Sequence, residues 1–511
     1  MLDFTSLARG VFRQRLQQHL RYADHAAQVQ QGELVSLVET AALTWFGRRY
    51  DFSTVRTWKD FASRVPLHRY DDLRAPIMRM VGGEAGVLWP GVTRHFAQSS
   101  GTSDGRSKYI PITERSFKRN HFRGAADVVA HYLNLNPDSR MFAGKGLILG
   151  GSYATELQVG RGVHVGDLSA NLIDRANPLV QLARVPSKRI ALMERWEEKL
   201  PALVDACLRA DVTNLSGVPS WMLTVLRRVV EKAGAETIHD VWPNLEVFFH
   251  GGIAFAPYRQ QYERLCDPAR MHYLDTYNAS EGFFATQSSW DSTAMLLLLD
   301  VGVFYEFIPL SDIDSESPDV LPVWEVEPGK TYELVITACN GLWRYRIGDT
   351  VTVQQTHPVK ITIAGRTRSF INAFGEEVMV HNADHAVARA AADTHAEVAN
   401  YHAAPVYADT RNRGRHQWLV EFERMPDDSK RFITLVDHYL QQENSDYQAK
   451  RAGGIFLDPP TMVVASRGLF DRWLAETGKL GGQRKVPRLS NDRDIMDRML
   501  KLNQSDAIHL P

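Results

Sequence analysis

The sequence SSGTSDG occupies residues 99–105, between an apolar approach at 92–96 and a strand-like run at 109–112. Glycine and small hydroxyl side chains leave backbone N–H groups accessible, so such a loop can converge on phosphate oxygens. A loop flanked by buried strands is also held rigidly. The stretch therefore predicts a strand–loop–strand unit that grips phosphate, with an exposed surface loop as the alternative. The expected contacts are Ser99, Ser100, Gly101, Thr102 and Ser103.

This loop is not a Walker loop, because no segment of the chain reads G-x-x-x-x-G-K-[ST]. Lys108, just after it, is expected to add positive charge. Before the loop, apolar residues fall at helical spacing from Thr5 to about Val65, which predicts an all-helical N-terminal segment. The apolar positions there include Leu34, Leu37, Val38, Ala41, Ala42, Leu43 and Trp45.

After the loop, strand-like and helical stretches alternate. Strand-like runs at 146–150, 212–215 and 245–250 are interspersed with helical stretches at 189–210, 220–233 and 257–265. Such alternation is typical of α/β layers on a largely parallel sheet. From about Asp300, strand-like runs at 303–308, 323–326 and 332–336 are separated by Pro, Gly and Asp, which predicts an antiparallel β subdomain.

The pattern changes again after 361–365, with strand candidates at 418–422 and 461–464 and helix candidates at 430–442 and 469–476. A chain of 511 residues also exceeds what one hydrophobic core usually supports. The expected fold class is therefore α/β. A large N-terminal domain, residues 1–364, is expected to have parallel sheets plus the β subdomain, and a smaller α+β C-terminal domain is expected to comprise residues 365–511.

The charge balance and the composition limit the classes of partner that we expect. The 59 Lys and Arg residues balance 60 acidic ones, so no electrostatic field favours nucleic acid or an anionic membrane. The three cysteines lack paired or metal-ligand spacing, which suits a reducing compartment. No signal peptide or membrane span stands out. We expect a cytoplasmic, monomeric protein that acts on small molecules.

Two later segments have the composition of a nucleotide site. Gly251 and Gly252 end the apolar run 245–250 and would let a flat ring approach the backbone. In the following DTYNASEG, Tyr277 can stack on such a ring and Glu281 can hold a divalent cation. A plain strand-to-loop turn and a solvated carboxylate are the alternatives.

Two more segments have residues that are suited to binding a nucleotide. In LWRYRIGDTV, residues 342–351, Asp349 is expected at a turn between two strand-like runs, where its carboxylate can accept ribose hydroxyls. A simple hairpin turn is the alternative. In GKLGGQRKVPR, residues 478–488, four cations lie in a glycine-bearing loop from which a lysine can reach an α-phosphate, unless the loop is merely solvated.

Taken together and in this order, SSGTSDG, YNASEG and YRIGDTV resemble the three nucleotide motifs of the acyl-adenylate superfamily, which includes firefly luciferase and acyl-CoA ligases. Within it, the chain most resembles the auxin-responsive promoter family, the plant acyl-acid amido synthetases and their bacterial relatives. The segments LSGVPSW at 215–221 and GQRKVPR at 482–488 favour this branch. The resemblance spans almost the whole chain.

The resemblance implies ATP and Mg²⁺ as cofactors and a role for each motif. Residues 99–103 would hold the β- and γ-phosphates, and the C-terminal domain would rotate between half-reactions. Single contacts are implied for Tyr277 (adenine), Ser280 (α-phosphate), Glu281 (Mg²⁺), Asp349 (ribose) and Arg366 (hinge). The Pro-Lys-Thr-x-Ser-Gly-Lys stretch of acyl-CoA ligases is absent, so Lys485 is expected as the catalytic lysine, with Lys479 behind it.

The expected reaction has two steps. A carboxylate attacks the α-phosphorus of ATP to give acyl-AMP and pyrophosphate, and an amino acid amine then displaces AMP to form an amide. The acyl pocket is expected to include Leu149, Trp221, Met222 and Phe248, which suit an aromatic or medium apolar acid, although each is also compatible with core packing. Transfer to coenzyme A, and a non-catalytic sensor of ATP or acyl-AMP, are the rival functions.

Overall fold

The computed structural model describes residues 3–99, 108–153, 157, 159–252, 255–366, 370–371, 376, 378–406, 414–444, 447–448, 451, 457–477, 486–490 and 492–507. The chain folds into two compact units. The first unit comprises 1–253, 262–347 and 351–363, and the second comprises 254–261, 348–350 and 364–511. The boundary expected between residues 364 and 365 stays a prediction.

The N-terminal segment is helical, as predicted. Its helices are α1 Thr5–Leu20, α2 Tyr22–Ala41, α3 Trp45–Arg49, α4 Trp58–Arg64 and α5 Tyr70–Val81. Leu34, Leu37, Val38 and Ala41 are completely buried on one face of α2. Leu43, which we expected on the same face, is 81% exposed, because α2 ends at Ala41 and the helical periodicity ends with it.

The first unit contains a 12-stranded sheet in the order β12-β11-β13-β14-β15-β10-β9-β8-β7-β6-β3-β5. The part from β5 to β8 is parallel, and β9 and β10 continue it in antiparallel pairing. The strands are β3 Lys145–Ile148, β5 Arg184–Val185, β6 Val212–Gly217, β7 Val247–Gly251, β8 His272–Ala279, β9 Gly282–Gln287, β10 Met295–Leu297, β11 Val303–Pro309, β12 Leu321–Pro322, β13 Thr331–Ala338, β14 Tyr345–Thr356 and β15 Val359–Arg366.

Helices alternate with the strands between residues 108 and 279, as predicted. They are α6 Glu114–Ser116, α7 Phe122–Leu135, α8 Leu168–Arg175, α9 Pro178–Leu182, α10 Lys188–Ala191, α11 Trp196–Leu208, α12 Pro219–Ala233, α13 Ile238–Val241 and α14 Ala256–Leu265, with a π-helical turn at Phe117–His121 before α7. The ends of α12 illustrate how local sequence defines such a helix. Pro219 is its first residue, and Gly234, at a left-handed φ of 65°, caps its C-terminus. A small sheet pairs β1 His95–Ser99 with β2 Lys108–Ile112 and with β4 His164–Gly166.

Two expectations for the β region were wrong in detail. Residues 323–326 form a turn after the short β12, whose Pro322 lacks the N–H that would extend the ladder. Asp349 lies inside the continuous strand β14 instead of at a turn between two strands, and Gly348 beside it takes a left-handed φ of 83°. The antiparallel strands also belong to the same sheet as the parallel ones.

The second unit is a smaller α+β assembly, as predicted. β18 Glu397–Val406 pairs antiparallel with β19 Arg415–Arg424, and β20 Thr461–Val464 pairs parallel with β19. A two-residue ladder joins β16 Phe370–Ile371 to β17 Val378–Met379. The helices are α15 Val380–Asp393, α16 Ser429–Glu443, α17 Leu469–Glu476 and α18 Asp494–Ala507.

Candidate functional site

The turn between β8 and β9 brings three of the predicted residues together. Ala279 pairs with Gly282, so Ser280 and Glu281 form the two-residue connection, and Tyr277 lies just before it in β8. Ser280 and Glu281 are only 7% and 8% exposed, which is unusual for a hairpin tip, and Tyr277 is 3% exposed. Burial of a carboxylate at a tight turn costs free energy unless polar groups face it. The turn therefore holds a carboxylate in surroundings that are largely shielded from water.

Two asparagines that sequence reasoning missed hold this turn in place. The side-chain amide of Asn340 donates to the backbone carbonyl of Glu281 at 3.0 Å. Asn120 accepts from the Phe283 N–H at 2.7 Å and donates to the Phe283 carbonyl at 3.0 Å. Its amide also donates to the Val301 carbonyl at 3.1 Å, which ties β9 to the segment before β11. The backbone of the turn and of the start of β9 is thus fixed by side chains from distant parts of the chain.

The helix beside the turn fits it closely. A Cβ atom added to Gly124 in α7 would lie 2.5 Å from the ring of Phe283. Because real Cβ contacts are not that short, only glycine lets α7 approach β9 at this distance. The positions of α7, β9 and the turn are therefore coupled by packing as well as by hydrogen bonds.

The predicted Gly251-Gly252 pair lies at the carboxyl end of β7. A Cβ on Gly251 would lie 2.4 Å from the carbonyl oxygen of Thr276 in β8, so the close approach here is that of a neighbouring strand. Gly252 follows at a left-handed φ of 79°. The Thr276 hydroxyl donates to the His250 carbonyl at 2.9 Å, and His250 Nδ1 lies 2.9 Å from an Asp275 carboxylate oxygen. The ends of β7 and β8 are therefore locked side by side.

The predicted phosphate loop connects β1 to β2. The two strands pair antiparallel up to Ser99 and Lys108, which form the last pair of the ladder. Ser100, Gly101, Thr102 and Ser103 lie outside the described residues, as does the Ser99 side chain. The Lys108 ammonium lies 5.7 Å from the ring centroid of Tyr70, whose hydroxyl accepts from the Tyr109 N–H at 2.7 Å. The base of the loop is thus anchored to α5.

Two of the predicted acyl residues lie beside Gly217. Leu149 and Met222 flank this glycine, since a Cβ there would lie 3.4 Å from Leu149 Cβ and 3.6 Å from Met222 Cε, and Met222 is completely buried. Trp221 is half-buried at the start of α12. Phe248 is completely buried, with its ring centroid 5.2 Å from that of Tyr262 in a stacked arrangement, which favours a core role for it.

A buried lysine near the carboxyl end of β3 was not predicted. Lys199 in α11 is 4% exposed, and its ammonium donates to the carbonyls of Gly150 and Gly151 at 2.5 and 3.3 Å. Burial lowers the pKa of this ammonium to about 8. A lysine within a helical run gives no sequence signal of such a contact, because the carbonyls that it reaches are 48 and 49 positions away.

The remaining predicted residues are more dispersed. Asp349 is 6% exposed and belongs to the second unit. Arg366 ends β15, and its side chain, like Lys479 and Lys485, lies outside the described part of the chain. Among the described residues, no group of three or more His, Cys, Asp or Glu side chains is arranged to hold a metal ion. No described helix is both long and apolar enough to cross a membrane.

Comparison with known proteins gives matches along nearly the whole chain. The family models that match are the GH3 family N-terminal domain at residues 15–178 and 161–271, the GH3 family central domain at 296–366 and the GH3 family C-terminal domain at 381–494. The indole-3-acetic acid-amido synthetase GH3.4 of Arabidopsis thaliana is 23% identical, with 92% of this chain and 90% of the relative aligned. The jasmonoyl–L-amino acid synthetase GH3.5 of Oryza sativa subsp. japonica is also 23% identical, over 65% of this chain and 68% of its own.

Solved structures show the same fold. A GH3.15 acyl acid amido synthetase superposes with a TM-score of 0.76 at 17% identity, covering 94% of each chain. A 2-hydroxyisobutyryl-CoA ligase in the postadenylation state superposes with a TM-score of 0.59 at 13% identity, covering 94% of this chain and 92% of the ligase. The mixed α/β architecture, with a larger N-terminal and a smaller C-terminal part, is thus the fold of these two structures.

Proposed function

Because the chain belongs to the GH3 family, we propose that it is an ATP-dependent amido synthetase that activates a carboxylic acid as acyl-AMP and joins it to the amine of an amino acid. The observation that carries this proposal is the buried Ser280-Glu281 turn, held by Asn340 and Asn120. A rigid, buried carboxylate can hold the divalent cation that a site for charged phosphates needs. Such charge stabilisation is most effective when it is preorganised and shielded from water.

Glu281 is suited to a magnesium site, because Mg²⁺ usually binds one or two carboxylates together with substrate phosphates and water. When bound, Mg²⁺ neutralises charge that develops on the leaving pyrophosphate. The protein's own part is to keep the turn fixed: the Asn340 amide at 3.0 Å from the Glu281 carbonyl opposes its displacement. We propose Ser280 as the α-phosphate contact and Tyr277 as the adenine platform.

The other ATP contacts follow from the motif order. We propose that Ser99, Ser100, Gly101, Thr102 and Ser103 hold the β- and γ-phosphates, because the loop begins and ends at the paired residues Ser99 and Lys108. Gly251 and Gly252 would border the adenine, Asp349 would accept the ribose hydroxyls, and Lys485 would supply the catalytic cation. Residues 365–511 would form the mobile domain, with Arg366 at its hinge.

For the acid, we propose the apolar surface around Gly217. Leu149 and Met222 approach this glycine within van der Waals distance, and Trp221 beside Met222 is only half-buried. Apolar side chains with a few polar groups nearby are typical of small-molecule pockets. Phe248 would support this surface from the core. The partners of the protein would be small molecules in the cytoplasm, without nucleic acid or membrane, and the protein would act as a monomer.

An acid-by-amine panel tests the proposal. Purified protein is incubated with ATP, Mg²⁺, aromatic and aliphatic acids and single amino acids, and pyrophosphate release and product mass are recorded. A parallel arm replaces the amino acids with coenzyme A. We expect amide products; thioester products alone would favour the CoA-ligase function, and background pyrophosphate release with every acid would favour the sensor.

Two matched variants locate the site in this assay. Glu281→Ala removes the buried carboxylate, while Glu316→Ala removes an exposed one in the same unit. We expect Glu281→Ala to lower pyrophosphate release by roughly two to three orders of magnitude, as loss of a key electrostatic group does. Glu316→Ala should behave as wild type. Near-normal activity of Glu281→Ala would remove the metal role from this residue.

A further inference from the structure

A cleft in the first unit is lined by none of the residues assigned above to ATP or to the acid. Its volume is about 460 Å³, within the range of roughly 300–1,000 Å³ that is common for small-molecule sites. It lies among α1, α2 and the segment that leads into α7. The lining residues that matter are Tyr22, Val29, Glu33, Arg119, Arg123 and Asp300.

Two ion pairs cross this cleft. Arg119 Nη2 lies 2.9 Å from Glu33 Oε1, and Arg123 Nη2 lies 3.1 Å from Asp300 Oδ2. The two arginines are four positions apart, about one helical turn, so their guanidinium groups project on the same side. A pair of neighbouring guanidinium groups is well suited to bind a carboxylate through several N–H donors.

The pairs leave polar atoms unsatisfied. Within the described part of the chain, Glu33 Oε2, Arg119 Nε and Arg123 Nε are buried and have no hydrogen-bond partner. Glu33 as a whole is 7% exposed. Buried polar atoms of native proteins are almost always paired with protein, water or ligand, and each orphan costs about 1–3 kcal/mol. The cleft can thus accommodate a ligand that offers a hydrogen-bond donor to Glu33 and an acceptor to the two arginines.

The two carboxylates of the cleft differ in their surroundings. Asp300 accepts from both Nη atoms of Arg15, at 2.5 and 2.6 Å, and from the Tyr22 hydroxyl. Although burial raises its pKa, hydrogen bonding and the charge of Arg15 outweigh this and lower the pKa of Asp300 to about 2. Burial raises the pKa of Glu33 in spite of Arg119, so its charge is under-compensated. A cationic donor on Glu33 would correct this.

We propose that this cleft binds a free α-amino acid, with its carboxylate on Arg119 and Arg123 and its ammonium on Glu33. Inorganic phosphate would meet the arginines but would face the Glu33 carboxylate, and a simple carboxylate would leave Glu33 Oε2 without a donor. A polyamine would satisfy Glu33 but would be repelled by the guanidinium groups. Of these ligands, only a zwitterion offers both an ammonium donor to Glu33 and a carboxylate acceptor to the arginines. This binding is distinct from the use of an amino acid in amide synthesis, since the cleft is lined by none of the residues assigned above to ATP or to the acid.

The test is calorimetric titration of the full chain, without nucleotide or acid, with a panel of amino acids. The probes for comparison are the N-acetyl derivative of the best binder and inorganic phosphate. We expect at least one amino acid to bind with a dissociation constant below about 10 mM, and its N-acetyl derivative to bind about tenfold more weakly. Absence of any binding in this range, or phosphate binding as tightly as the amino acids, would overturn the proposal, the latter result indicating an anion patch only.

Variants locate the site and separate it from the acceptor site of the synthetase. Glu33→Gln keeps the shape of the side chain, and we expect it to weaken amino acid binding about tenfold while leaving binding of the N-acetyl derivative unchanged. Arg119→Gln should weaken both, and Lys118→Gln, which changes an exposed neighbour, should weaken neither. Thermal unfolding of each variant verifies its fold. Unchanged amino acid binding by Glu33→Gln would overturn the cleft assignment even if amide synthesis is found, whereas Glu281→Ala should leave this binding intact.

Discussion

The side-chain amide of Asn340 donates to the backbone carbonyl of Glu281 at 3.0 Å, and both residues are more than 90% buried. Asn340 Oδ1 also accepts from the Leu342 N–H at 3.2 Å. The residue that we propose to hold Mg²⁺ is therefore fixed from the turn that follows β13, 59 positions further along the chain. This contact links the stability of the fold to the geometry of the site.

Replacement of Asn340 tests this link. Asn340→Ala leaves the buried Glu281 carbonyl without its donor, which should lower the free energy of unfolding by about 1–3 kcal/mol. Because the turn loses its anchor, we expect acid-dependent pyrophosphate release to fall as well, under conditions where the variant is still folded. Urea unfolding and the pyrophosphate assay measure the two effects. Asn134→Ala, at an exposed position of α7, serves as the control and should change neither.

Glycines in two helices provide a packing test. Gly124→Ala in α7 places a methyl group 2.5 Å from the Phe283 ring and should destabilise the protein by about 1–3 kcal/mol through overpacking. Gly10→Ala in α1 meets nothing within 4 Å and should stabilise it by about 0.5–1 kcal/mol, because alanine favours helix. Urea unfolding of the two variants and the wild type measures both changes in the free energy of unfolding. Equal effects of the two substitutions would show that α7 does not pack on β9 as described.

Buried histidines predict how stability depends on pH. Burial lowers the pKa of His121 to about 4 and that of His131 to about 3. Between those values and the usual pKa of about 6.5, the unfolded chain binds protons that the folded chain does not. The free energy of unfolding should therefore decrease as the pH falls from about 6.5 towards 4, by up to about 1.4 kcal/mol per pH unit for each histidine.

His121→Gln isolates one of these contributions. The variant loses one titrating group, so the plot of unfolding free energy against pH should be less steep between about pH 6.5 and 4 by up to about 1.4 kcal/mol per pH unit. His357→Gln, at an exposed position, is the control and should keep the wild-type slope. A slope of His121→Gln equal to that of the wild type would contradict the depressed pKa.

Local patterns predicted much of this architecture. The apolar runs of β6 and β7, and the helical stretch predicted at 220–233, agree with the structure because each depends on residues near in sequence. The order of the nucleotide motifs predicted the family, which the domain matches confirm.

What the sequence did not predict depends on distant contacts. Asn120 reaches Phe283 across 163 positions, and an asparagine in an otherwise ordinary helical stretch gives no sign of that bond. The close neighbour of Gly251 is a strand, where the composition had indicated room for a ring. Asp349 was expected at a turn, because Gly-Asp between apolar runs is typical of one, but Gly348 takes a left-handed φ of 83° within an unbroken strand. In each case a contact or a backbone conformation that the local pattern does not reveal decided the outcome.

The most direct test of the central claim follows the oxygen atoms of the acid. An acid that is a substrate in the panel is labelled with ¹⁸O in its carboxylate and incubated with ATP, Mg²⁺ and the accepted amino acid, and the nucleotide product is analysed by mass spectrometry. Attack of the carboxylate on the α-phosphorus predicts that one labelled oxygen appears in AMP and the other in the amide carbonyl, and that pyrophosphate is unlabelled. Label in inorganic phosphate with ADP as the nucleotide product would contradict adenylation, and with it the function proposed for this protein.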